Sequence, residues 1–370
     1  MHWPDPIMPT WVDVKNVPRI IHTDSGDLGT GVMSVIGSRG SSARGCNVEV
    51  EHIKKDACKT SAATQNLSAQ NHLPKYLSPK MLLLQNILLA LGATLAAAWK
   101  PQPSAWWKEG VVYQVYPSSF KESRTENAIG WGDIKGITDN LDHIQSLGAD
   151  IVWLSPFYDS PMKDMGYDIS NYDSVNKLFG GSIEDIKAFI EEAHKRGMRC
   201  IFDLVINHTS DKHNWFKQSA SSKTNSKRDW YFWRQPQQKN GSIYPPNNWL
   251  GNNNGSAWTY DAHTGEYYLN IFNYYQPDLN WDNPDTRQAI FKDALEYWLD
   301  MGIDGFRMDV FARYSKPAGL PDVPANDTDF HDASDLYTTG PHEHEYLQQM
   351  NREVLSKYDT FTVGEYTVEN

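Results

Sequence analysis

Arg307 and Asp309 stand two positions apart in the run GFRMDV (305–310). On a β-strand such residues share one face. An arginine and a carboxylate buried side by side are costly unless each satisfies the other or a ligand does. An isolated R-x-D is commonly a structural ion pair. Here two further carboxylates end similar apolar runs, Asp203 in DLVINH (203–208) and Glu365 in VGEY (363–366), and His208 closes the first of these. Taken singly, His208 could be a satisfied strand-end histidine and Asp203 a cap. Taken together, three acids, an arginine and a histidine have the composition needed to split a glycosidic bond. One carboxylate stays ionised to attack the anomeric carbon and another, protonated, releases the leaving oxygen. Arg307 is expected to lower the pKa of Asp309 and fix its orientation. Glu365, after an apolar strand and Gly364, is expected to be partly desolvated and so raised.

These residues need strands to carry them. From Trp106 onwards short apolar runs alternate with amphipathic stretches, the pattern of βα units. Strands are expected at VVYQVYP (111–117), DIVWLSP (150–156), MRCIFDLVINH (198–208), DGFRMDV (304–310) and TFTVGE (360–365). Helices are expected near Ile134–Leu147, over 182–197 with Ser182 as cap and Gly197 as stop, over 283–302, and around His342–Tyr358. Residues 209–278, dense in Asn, Trp, Tyr and Lys, are too long for a plain loop and are read as a subdomain inserted after strand 3. The fold class is α/β, a barrel of the (β/α)8 TIM type of which about five βα units are present. Such barrels keep their chemistry at the C-terminal strand ends, which explains charged residues at the ends of apolar runs.

The chain has 370 residues and a formal net charge of −12, with no basic block able to track a phosphate backbone, which argues against a nucleic-acid partner. Its 14 Trp and 19 Tyr suit stacking on sugar rings, although ordinary packing must use most of them. Three cysteines, Cys46, Cys58 and Cys200, form no metal-type pair, and nothing further supports a Cys46–Cys58 bridge. Residues 1–80 are rich in Ser, Gly, Asn and Pro with little periodicity. They read as disordered or as not belonging to the mature protein. The uncharged run at 81–98 reads as a signal peptide if translation starts at Met81, as a membrane anchor if it starts at Met1, or as a buried core helix. Localisation follows that choice: secreted in the first case, otherwise membrane-anchored or cytoplasmic.

DLVINH, GFRMDV and VGEY resemble three short motifs of the α-amylase superfamily, glycoside hydrolase family 13, in family order. QPDLN (276–280) is similar to a motif of its oligo-1,6-glucosidase and α-glucosidase branch. The resemblance runs through residues 106–370. It implies Asp309 as nucleophile, Glu365 as general acid/base and Arg307 as the arginine beside the nucleophile. It places Asp164, Tyr167, Asp203 and His208 around the non-reducing glucose. It further implies a retaining double displacement with the two catalytic carboxyl groups about 5–5.5 Å apart. Val310, next to the nucleophile, accompanies α-1,6 activity in relatives. The implied partners are short α-1,4- or α-1,6-linked gluco-oligosaccharides, and no cofactor is expected. A non-catalytic sugar-binding scaffold and a glucosyl-transferring isomerase are the competing readings.

Two departures stand out. Many relatives bind calcium or magnesium in D-x-N-x-D-G-x-G-D after the first strand, whereas this chain reads FKESRTENAIGWGDIKGI. Asn127 and Asp133 remain as oxygen donors but Thr125 and Ile129 replace acids, so no strong metal site is expected. The resemblance also implies three further βα units, a third acid and a β-sandwich beyond Glu365. The 370 residues alone are therefore expected to be an inactive fragment.

Overall fold

Five apolar runs form parallel strands that lie side by side in chain order: β1 (Val112–Val115), β2 (Ile151–Leu154), β3 (Arg199–Leu204), β4 (Gly305–Met308) and β5 (Phe361–Gly364). The computed structural model describes residues 105–126, 128–327 and 329–366, with the backbone of Ile20–Ile21, which pairs in parallel with β1. The N-terminal segments at 1–80 and 81–98, with Cys46 and Cys58, otherwise lie outside the described residues, as does Asn127. Among the described residues no helix is long and apolar enough to cross a membrane.

β2 and β4 are buried at every position, as parallel strands covered on both faces must be. Side chains from one face, among them Val152, Leu154, Phe202 and Phe306, pack under the helices; those from the other, Val112, Ile151, Trp153, Ile201 and Phe361, meet inside the curve. Gly305 is required by a close approach, since its φ is +149° and a Cβ there would lie 1.7 Å from the Phe361 carbonyl oxygen of β5.

The crossover helices follow the sequence pattern. α1 (Ile183–Lys195) starts where the Ser182 side chain accepts from the Asp185 N–H, and buries Ile186, Phe189, Ile190 and Ala193 along one face. The helix expected over 283–302 begins at Asn283, whose side chain caps Asp285 and Thr286, and is interrupted by a wider turn over Phe291–Glu296. Beyond that turn the fully buried Trp298 packs on Phe157 and Phe202. At the N-terminal ends of the strands Asp304 accepts from His194 (2.7 Å), Arg199 (2.5 Å) and the Cys200 N–H (2.9 Å), locking α1 to β3 and β4.

The 209–278 stretch contains a helix (Asn214–Ser221), a three-stranded antiparallel sheet (Trp258–Asp261, Glu266–Leu269, Trp233–Arg234) and a hairpin (Gln237–Lys239, Ser242–Tyr244). It does not enclose a core of its own. Phe232, Trp249, Trp258 and Ile271 share their cluster with Leu320, Ala333 and Tyr337 from the segment after β4. Trp249 Nε1 donates to Pro321 O at 2.7 Å and Asn247 Nδ2 to Leu320 O at 3.0 Å. Two excursions, after β3 and after β4, thus build one cap over the strand ends.

Candidate active site

β3 and β4 are in register with Asp203 opposite Arg307, and β4 and β5 with Arg307 opposite Val363. Arg307 therefore projects beside Asp203 on the same face, while Asp309 and Glu365 each follow one residue after the β4–β5 pairing ends at Met308 and Gly364. Arg307 gathers all three acids. Its Nη1 lies 2.8 Å from Asp203 Oδ1 and 2.7 Å from Asp309 Oδ1, and its Nη2 lies 2.8 Å from Glu365 Oε2. Behind it the Trp153 ring sits 5.2 Å from the guanidinium, and Trp153 Nε1 donates to Asp203 Oδ2 at 3.1 Å.

Burial pushes Asp203 upward, opposed by Arg307 and reinforced by Asp309. Asp309 is also raised, by burial first; Arg307 pulls it down, and the charge of Glu365 and a hydrogen bond with it push it up. Arg307 thus acts in the expected direction, but desolvation outweighs it. Glu365, expected to be desolvated, has a side chain 39% exposed and is the most open of the three. Gly364 permits this placement, because a Cβ there would fall 2.4 Å from the Phe311 ring.

Val310 is unlike a residue finishing a strand. It adopts φ 36° and ψ 41°, a left-handed conformation that β-branched residues avoid, and its N–H donates to Glu365 Oε2 at 3.2 Å. The strain is located between the two catalytic candidates.

The remaining candidates come from the β2 excursion and the end of β3. Buried Asp168 accepts from Ser160 Oγ and the Asp164 N–H, shaping a loop in which Met162, Met165 and Gly166 all have positive φ. The loop presents Tyr167, whose hydroxyl donates to Asp203 Oδ2 at 3.3 Å, and Asp164, which accepts from Gln276 Nε2 at 2.7 Å. His208 lies beneath, with Nε2 3.1 Å from Tyr167 O, and burial lowers its pKa. Asp164, Tyr167, Asp203, His208, Arg307, Asp309, Val310 and Glu365 are thus linked by direct contacts at one end of the sheet. Trp153 and Gln276 belong to the same group without having been singled out. The Q of QPDLN was the available signal for Gln276, whereas a core tryptophan gives none.

The loop after β1 does not fit a divalent cation. Asp133 caps the helix at Ile134–Thr138 by accepting from Gly136 N, and also accepts from Ser123 N and Oγ. Glu122 accepts from Ile129 N and Gly130 N. Arg124 fills the remaining space, with Nε 3.0 Å from Glu122 and 3.4 Å from Asp133, and Nη2 donating to Trp131 O and Leu178 O. A guanidinium therefore occupies the oxygen cluster that a metal would need.

The pattern describing the α-amylase catalytic domain matches residues 114–370. The chain belongs to the α-amylase family. It is 51% identical over 280 residues to an oligo-1,6-glucosidase of Saccharomyces cerevisiae, covering 74% of this chain and 47% of that protein. It is 53% identical over 261 residues to the oligo-1,6-glucosidase of Parageobacillus thermoglucosidasius, covering 70% and 45%. Among solved structures it resembles the trehalose-6-phosphate hydrolase of Bacillus licheniformis, with a TM-score of 0.67 and 46% identity over 72% of this chain and 46% of that one. The isomaltulose synthase of Erwinia rhapontici matches with a TM-score of 0.65 and 47% identity over 71% and 45%. The chain spans about half the length of the curated relatives it matches. The α-amylase catalytic domain is a (β/α)8 barrel, and the parallel sheet of five strands described here is a part of one.

Proposed function

We propose that the protein carrying this chain is a retaining α-glucosidase that releases terminal glucose from short α-1,4- or α-1,6-linked oligosaccharides. The observation that carries the reading is the single guanidinium holding Asp203, Asp309 and Glu365 together at the strand ends. The identity to oligo-1,6-glucosidases supports it. In the first step an Asp309 oxygen attacks the anomeric carbon and Glu365 gives its proton to the departing glycosidic oxygen, leaving a glucosyl ester on Asp309. In the second, Glu365 takes a proton from water, whose oxygen attacks the same carbon and frees Asp309. Arg307 favours the ionised form of Asp309 against burial and orients its carboxyl group for attack. Asp164, Tyr167, Asp203 and His208 line the pocket for the glucose hydroxyls.

Asp309→Asn and Glu365→Gln test the assignment in the full-length protein with p-nitrophenyl α-glucoside. Each is expected to lower kcat by about a thousandfold, some 4 kcal/mol, with the melting temperature retained. Activity within about tenfold of the parent for either variant counts against it. A glucosyl-transferring isomerase shares the first step and differs in the acceptor, so product analysis with sucrose, looking for isomers against free glucose, separates the two. A non-catalytic scaffold has no need of the assembled acids.

A further inference from the structure

Lys316 follows Asp309 by seven residues and its side chain is wholly buried. Its ammonium donates to Asn207 Oδ1 at 3.0 Å and to Arg313 O at 2.5 Å, and lies 2.9 Å from Asp278 Oδ2. These acceptors come from the end of β3, from the turn after β4 and from the return of the 209–278 excursion. We propose that Lys316 is a positioning residue that, through the Asn207 amide, holds His208 in its neutral Nε2–H tautomer.

The tautomer follows from which groups can only donate. An ammonium has no acceptor, so the oxygen of the Asn207 amide must face Lys316. The amino group of that amide is then turned the other way, where it lies 3.2 Å from His208 Nδ1. It can only donate there, so Nδ1 must be the unprotonated acceptor. The ring proton is left on Nε2, which donates to Tyr167 O at 3.1 Å. The Gln276 amino group, 3.2 Å from the same nitrogen, gives one of its two hydrogens to Asp164 at 2.7 Å, and the Tyr167 carbonyl is the only acceptor of the two groups that meet Nε2. Protonating His208 would set Nδ1–H against the Asn207 amino group and force the amide to release Lys316. One buried cation thereby fixes an amide, a tautomer and the edge of the imidazole that faces Tyr167 and Asp164.

The charges facing His208 are balanced around this arrangement. Burial is the largest influence and favours the neutral ring; Lys316 acts the same way, while Asp278, Asp164 and the Tyr167 carbonyl act against it. The Phe272 ring, 5.0 Å away, closes the remaining side. Removing the lysine charge takes away the cation that counters Asp278 and Asp164 at the ring, so His208 should protonate at a higher pH.

The catalytic consequence rests on the glucosidase reading; the tautomer does not. The full-length protein labelled with 15N-histidine is followed by nitrogen–proton correlation from about pH 5 to 8, alongside kcat/KM. The parent should show His208 neutral with hydrogen on Nε2 throughout. Lys316→Met, which keeps the stem and loses the donor, should mix tautomers, bring imidazolium into the acid end, and shift the acid limb of kcat/KM upward. Its kcat/KM should fall on the order of tenfold to a hundredfold, the cost of removing an outer partner of a functional imidazole. Lys316→Gln retains a donor and should keep the tautomer. If Lys316→Met does not fold, Asn207→Asp gives the decision, because a carboxylate beside Nδ1 should draw the proton to it and reverse the tautomer. An Nδ1–H or protonated His208 in the parent, or an unchanged tautomer in both Lys316→Met and Asn207→Asp, overturns the proposal. Expected spectra in a protein without glucosidase activity would uphold the tautomer and reject the function.

Discussion

Val310 is where backbone strain and chemistry meet. A valine held at φ 36° costs on the order of 1–3 kcal/mol, and the structure places that cost between Asp309 and the N–H that binds Glu365. Val310→Thr is the informative change because threonine is also β-branched and nearly isosteric, so the strain is held constant and only a methyl becomes a hydroxyl. If Val310 shapes the site for the second sugar, the ratio of kcat/KM for isomaltose to that for maltose should fall by about tenfold, within the 1–3 kcal/mol available to such a contact. An unchanged ratio would remove Val310 from the specificity argument. The acids give a second prediction at this scale. Asp309 must be ionised to attack and is raised by burial, so the acid limb of kcat/KM should lie above the ordinary carboxylate range of about pH 4. The sign for stability is the reverse of the usual aspartate. Folded pKa values raised above the unfolded ones mean that the native state binds more protons, so the contribution of Asp203 and Asp309 to stability falls as pH rises through their folded values. Asp203→Asn should therefore narrow the loss of melting temperature between mildly acidic and neutral pH. An acid limb near pH 4 in the parent would show that Arg307 outweighs burial after all.

At the level of elements, the sequence patterns placed each of the five strands within a few residues, because buried parallel strands are apolar throughout and are punctuated by Gly, Pro and caps such as Ser182. The grouping of Asp203, Arg307, Asp309 and Glu365 was equally legible, since each lies within or just after such a run. Three features were not. The cap formed by 209–278 with 320–337 depends on contacts between residues far apart in the chain, such as Trp249 with Pro321, which no local period records. The wider turn at Phe291–Glu296 keeps the same amphipathic pattern as an ordinary helix. Arg124 looked like one charge in a polar loop, yet it bridges Glu122, Asp133, Trp131 and Leu178. From that bridge follows a prediction about the loop after β1: EDTA, calcium and magnesium should each leave the melting temperature of the full-length protein unchanged within about a degree. Arg124→Ala should lower it by several degrees, as expected for the loss of about 1.5–3 kcal/mol of charged hydrogen bonds. A melting temperature that drops on chelation and recovers with calcium would mean that the oxygens of this loop hold a metal in preference to the guanidinium.

Across the whole molecule the two faces of the sheet are unequal. The outer face lies under helices in a large continuous core, whereas the inner face closes on a small cluster, with Phe361 of β5 stacked on Trp107 at 5.3 Å and edge-on to Trp106 at 6.0 Å. Among the described strands β5 has a hydrogen-bonded neighbour on one side only. A strand edge with a hydrogen-bonded neighbour on one side only is a template for pairing with another chain. Glu365 stands just past that edge, and its exposure fits a pocket walled on one side. Proximity in such a site depends on walls that hold a sugar within a fraction of an ångström of the attacking oxygen. A polypeptide limited to residues 106–370 should therefore self-associate and fail to hydrolyse p-nitrophenyl α-glucoside, even though Asp309, Glu365 and Arg307 are all present. Light scattering after size exclusion, with the hydrolysis assay on the same fractions, checks both halves. A monomer with a cooperative melt and measurable turnover would show that β5 needs no partner and that five strands are enough to hold the glucose ring.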